Sequence, residues 1–135
     1  MNTTYFINQI MGNVFHTQSS PAIADKYYLG LSTTSPTVDG VCDGEPSTDG
    51  TGYERILLDS LSVPENGLIK NTAAINFNES LTNWGSISYY AVFDSKTGGN
   101  LLFFGDLDIS KTVEVGTTIT VKAGELIIQL YSAGA

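Results

Sequence analysis

With 135 residues, 41% of them apolar, the chain is long enough for one hydrophobic core and too short for two ordinary domains, so a single domain spanning 1-135 is expected. Six Lys and Arg stand against fourteen Asp and Glu, a formal net charge of −8, which repels nucleic acid and anionic membrane surfaces and leaves neither as an expected partner. The lone Cys42 excludes an intrachain disulfide framework and any multi-cysteine metal site.

The opening MNTTYFINQIMGNVF has no basic n-region and no continuous apolar stretch, so neither a signal peptide nor a membrane span is expected, and synthesis in a cytoplasm follows. Phe6, Ile7, Ile10, Met11, Val14 and Phe15 recur at helical spacing, predicting an amphipathic helix within residues 1–18 capped by Thr3 or Thr4. Such a face suits docking on a sheet. Its competing use is a contact between subunits, for which Phe6, Ile10 and Val14 are candidates.

After Pro21 the pattern turns to β. Lys26 to Thr33 predicts a strand ending at Ser35-Pro36. Residues 34–52 then form a long acidic Gly/Pro-rich loop without periodicity, of the kind that is either functional or mobile. Tyr53 to Val63 predicts a strand, Asn66-Gly67 a tight turn, and Leu68 to Phe77 a returning strand broken near Asn71. The stretch WGSISYYAVFDSKTGGNLLFFG, Trp84 to Gly105, reads as two apolar strands around a turn from Asp94 to Asn100, the first covered on both faces. Thr117 to Val121 and Leu126 to Leu130 alternate cleanly and predict a closing hairpin. The fold class expected is mainly β: an antiparallel β-sandwich with one N-terminal helix.

Chemistry is sparse along this pattern. His16 is the sole histidine, and its place beyond the apolar helical face suits a helix end better than a general base. Asp39, Asp43, Glu45 and Asp49 share the loop and offer hard oxygen ligands, a weak calcium candidate whose spacing departs from an EF-hand. Glu54, Glu79, Asp94 and Asp106 are scattered rather than paired for glycoside hydrolysis, and Lys96-Thr97-Gly98-Gly99 lacks the spacing of a phosphate loop. No enzyme activity and no cofactor are expected. Tyr53, Trp84 and Tyr90 join the helix residues as contact candidates; with Tyr27, Tyr28, Tyr89 and Tyr131 they also form a set able to stack on sugars.

In order as well as content, the chain resembles the small tail-fibre-like virion proteins of tailed bacteriophages. Tyr27-Tyr28-Leu29-Gly30-Leu31-Ser32-Thr33 with Ser35-Pro36 is similar to that family's "YVGL.T..P" strand, and Gly52-Tyr53-Glu54-Arg55 to its "GY.R" motif. Asn71, Phe77 and Trp84-Gly85-Ser86-Ile87 follow its "N…F…WG.(I/V)" pattern, Asp94 with Thr97-Gly98-Gly99-Asn100-Leu101-Leu102 its "D..TGGNLL" block, and Val115-Gly116-Thr117-Thr118 with Ala123-Gly124-Glu125-Leu126 its final hairpin. Tyr89, where the family often has histidine, and the longer loop carrying Cys42 depart from it. The resemblance implies a non-enzymatic virion component, a tail fibre or a head or neck appendage. A symmetric homo-oligomer, expected to be a trimer, would contact other proteins of the tail, neck or capsid. The alternative is an adhesin module recognising a bacterial surface glycan.

Overall fold

The computed structural model describes residues 1–17 and 20–130. Its helix α1, Thr4–Val14, is shorter than the predicted span of 1–18. Thr3 starts it: the Thr3 hydroxyl accepts from Phe6 N at 3.2 Å and reaches Leu101 O at 2.8 Å, so one buried side chain caps the helix and ties it to the sheet. His16 stops it. With φ 55 it occupies the left-handed position after the C-cap, and Thr17 N turns back to Gly12 O at 2.9 Å.

The remaining elements are β1 Tyr28–Ser32, β2 Ile56–Leu57, β3 Leu68–Lys70, β4 Ile75–Asn76, β5 Gly85–Phe93, β6 Leu101–Val113, β7 Thr120–Val121 and β8 Ile127–Gln129. A four-stranded antiparallel sheet runs β2-β1-β5-β6. Beside it lie two short antiparallel ladders, β3-β8 and β4-β7. Leu29, Leu31, Ile87, Val92, Leu102 and Phe103 of the sheet share one buried cluster with Ile75, Phe77, Ile119, Val121 and Leu126 from the ladder side. That cluster is the sandwich core.

Two expectations are corrected. Thr117 to Val121 and Leu126 to Leu130 do not form a hairpin with each other: β7 pairs with β4 and β8 with β3. Asn71 explains the detour. Its buried amide donates to Ala73 O at 3.0 Å and Lys122 O at 2.9 Å, and its oxygen accepts from Gly124 N and Leu126 N, each at 3.0 Å. The side chain thus fills the gap between two interrupted strands and satisfies backbone groups that a regular ladder would have paired. The strand beginning at Leu101 also runs well past Phe104, to Val113. Gly105 lies inside it because the Tyr90 ring crosses there, and a Cβ would sit 2.5 Å from the Tyr90 hydroxyl.

The predicted strand from Tyr53 to Val63 contracts to Ile56–Leu57 and an isolated bridge at Leu61 with Asn71. Turn chemistry follows the sequence more closely. Asn66 and Gly67 take φ 54 and 74, closing Glu65 onto Leu68. Asp94 accepts from Asn100 N at 2.7 Å, with Gly98 and Gly99 at φ 60 and 71.

Replacing Asn71 with Ala leaves buried donors and acceptors without partners, and the expected loss is about 3 kcal/mol in urea unfolding. A loss below about 1 kcal/mol would show that water or backbone adjustment substitutes for the amide.

Candidate functional site

Along the sequence, Tyr53 and Arg55 fall on the same side of an extended segment, and an inward Arg requires an anion. Glu45, ten residues earlier, supplies it. Arg55 Nε meets Glu45 Oε2 at 2.8 Å and Arg55 Nη2 meets Oε1 at 2.8 Å, a two-pronged pair whose side chains are 9% and 17% exposed. Nη1 donates to Ser95 O at 2.8 Å and Gly98 O at 2.7 Å, and the guanidinium lies 3.5 Å over the Phe93 ring. One side chain therefore joins the long loop, the strand that follows it and the β5–β6 turn.

Tyr53 completes this lock. Its hydroxyl donates to Glu45 Oε2 at 2.6 Å and accepts from Leu31 N at 3.0 Å. Because β2 pairs with β1 only at Tyr28 and Leu29, the Leu31 amide lies on an open sheet edge that this hydroxyl covers. Thr33 N donates to Gly44 O at 3.0 Å and continues the cover. Gly30 lies beneath, where a Cβ would stand 2.8 Å from the Tyr53 hydroxyl and 2.9 Å from Glu45 Oε2. Trp84 holds the far end of the loop through Nε1 to Thr51 O at 3.0 Å, packing edge-on against Tyr53. The loop of residues 34–52 is thus tied down along its length.

Burial, then the negative charge of Glu45, push the Tyr53 phenol well above its ordinary value of 10.0. Burial pushes Tyr90 up to about 12, with Asp106 and Asp108 adding to it. Cys42, packed beside the second cluster around Phe93 and Phe104, is likewise raised, chiefly by burial.

The helix shows the opposite arrangement of polarity. Gln9, outside the predicted apolar face, is buried and donates to Ala22 O at 2.8 Å; Asn13 donates to Gln9 O at 2.7 Å and Pro21 O at 2.8 Å. Ile7, Met11, Val14 and Phe15 are instead 42%, 54%, 61% and 70% exposed. Phe6 packs against the core and Ile10 is half-buried, so the predicted apolar face divides into a docked edge and an open stripe. The loop turn meets the start of this helix, where Thr4 N donates to Val38 O at 2.9 Å.

Among the contact candidates, then, Val14 is open, Phe6, Ile10 and Tyr90 are partly covered, and Tyr53 and Trp84 lie in the core at 2% and 6% exposure. Tyr131 lies outside the described residues. Of the calcium candidates, Glu45 is committed to Arg55 and Tyr53, while Asp39, Asp43 and Asp49 are exposed; among the described residues no three His, Cys, Asp or Glu side chains converge as metal ligands. Glu54 is drawn below the ordinary carboxylate range by its hydrogen bond from Asn78 and by Lys96. Among the described residues, no helix is long and apolar enough to cross a membrane.

The family model described as podophage GP4 fiber I protein gp80 matches residues 1–129. The chain belongs to that fibre family. No curated protein matches it. Membership in a podophage fibre family makes this a virion-associated protein of structural type, and it gives the lock a meaning: Gly30, Tyr53, Arg55, Asp94 and the Gly98-Gly99 turn, which the sequence offered as separate motifs, meet in one place.

Two measurements check the lock. Arg55→Lys keeps the charge but loses the fork and the stacking, so its unfolding free energy is expected to fall by about 3 kcal/mol, close to the cost of Arg55→Met; a drop below about 1 kcal/mol would reduce the pair to a surface contact. The raised Tyr53 phenol stabilises the fold fully below pH 10.0, and that contribution is lost as pH climbs through the folded value. The melting temperature is therefore expected to decline above that pH, with a shallower decline in Tyr53→Phe, where the raised Tyr90, Tyr27 and Tyr5 phenols keep part of the slope.

Proposed function

We propose that this fibre-family chain is a non-enzymatic structural component of a tail fibre or a head or neck appendage, working as a symmetric homo-oligomer, with a trimer as the expected state, in contact with other virion proteins. The observation that carries this reading is the pairing of a tied-down β body with a helix whose open stripe is apolar. A rigid body is what an appendage needs in order to transmit geometry. An open apolar helix stripe is what assembly consumes, because association is driven mainly by removing such surface from water.

The chemical groups of the chain support the same reading. His16 terminates a helix, Asp94 shapes a turn, and Glu45 and Glu54 are held in ion pairs with Arg55 and Lys96. The glycan reading finds less support, since Tyr53 and Trp84 present almost no ring surface for stacking.

Light scattering during size exclusion at micromolar concentration is expected to give three times the 14.4 kDa of one chain. A monomer in that experiment, together with a monomer-sized footprint on labelled particles, would defeat the oligomer reading. Saturable glycan binding by the intact protein would bring the adhesin forward.

A further inference from the structure

The exposed stripe on α1 has more definition than a patch of greasy residues. Ile7, Met11 and Val14 are spaced by four and then three residues, the alternation that puts successive side chains on one seam facing another helix. Phe15 flanks the same side. The helix cannot roll to hide these residues in its own body, because Gln9, Asn13 and Thr3 fix the opposite side by hydrogen bonds to Ala22, Pro21 and Leu101.

Between Met11 and Phe15 the surface dips into a shallow groove bordered by Gly12, Ser20 and Pro21. Gly12 lets Ser20 pack directly on the helix to form one wall of it, since a Cβ there would collide with the Ser20 side chain. A ridge of side chains beside a dip is the surface that a like helix fits, knob into hole.

Charge selects the face by which two copies can approach. No charged side chain occurs before Asp25, although the chain as a whole carries −8. For a second copy of this same acidic chain, the charge-free helix is the approach where like-charge repulsion is least.

We propose that Ile7, Met11 and Val14 form a helix-to-helix seam between copies of this chain, with Met11 at its centre; this rests on the reading of the chain as a self-assembling fibre component. Around a symmetry axis through the middle of the seam, Met11 meets Met11 of the neighbour whether the helices run parallel or antiparallel. Added salt screens repulsion between the acidic bodies and leaves the apolar seam intact, so self-association strengthens as ionic strength rises.

The test compares three variants of the full chain by light scattering and sedimentation across a salt series. Met11→Glu is expected to weaken self-association by about a hundredfold, since each copy would bury an unpaired carboxylate. Val63→Glu, at an apolar residue 84% exposed and away from the helix, is expected to leave it unchanged. Met11→Cys, in a Cys42→Ser background, is expected to form a disulfide-linked pair on mild oxidation. Circular dichroism melting verifies that each variant folds. An oligomer that survives Met11→Glu and yields no Met11→Cys cross-link overturns the seam while leaving self-assembly standing. A wild-type chain that stays monomeric at every salt and concentration overturns both.

Discussion

The Arg55 guanidinium is the constraint on which the rest of the architecture depends. It is seated on Phe93 at the end of β5, grips Glu45 from the long loop, and holds the Ser95 and Gly98 carbonyls of the following turn. Three segments distant in sequence thereby acquire a fixed relation. A pair this well covered adds little net stability over an apolar substitute, but once built it is costly to break, because removal of one partner strands the other away from water. Its effect is to specify one arrangement. The open edge of β1 is closed by a loop that would otherwise have no reason to lie there, and an exposed edge that could pair with a stray strand is removed.

That closure bears on the helix. With the β1 edge covered and the loop tied down, α1 still presents an open apolar ridge. The inversion on α1 has a simple cause. The amide side chains of Gln9 and Asn13 face segment 20–22 and donate to its Ala22 and Pro21 carbonyls, which pins that side of the helix to the body. Hydrogen bonds to that segment and the packing of Tyr5 and Phe6 on the core together set which side faces the body.

This is also why the helix was only partly legible in sequence. Its period, a cap at Thr3 or Thr4 and its apolar residues could be read directly, but which side was buried could not, since the hydrogen bonds of Gln9 and Asn13 run to a segment with no regular structure. The turns were legible because Asn66-Gly67 and Asp94 with Gly98-Gly99 carry their geometry locally. The pairing of β7 and β8 was not, because Asn71 acts through four long-range or bridging hydrogen bonds that no local pattern announces. Gly105 and Asp106 read as the end of a strand that in fact continues to Val113. The lock was not legible as one: Tyr53 and Arg55 stood together only in the Gly52-Tyr53-Glu54-Arg55 motif, and Glu45 stood among four loop carboxylates with nothing to single it out.

The Arg55–Glu45 ion pair holds the loop and the β5–β6 turn to the body, and α1 meets the loop separately, through Thr4 N to Val38 O. Hydrogen–deuterium exchange of the wild type and Arg55→Met, resolved by peptide, tests it directly. Amides in 34–52 and 94–100 are expected to lose protection together, and with them Leu31 on the covered edge and Thr4, whose N–H is bonded to Val38 O, while those of α1 beyond Thr4 keep theirs. Protection lost only around residue 55, or lost equally along α1, would contradict it.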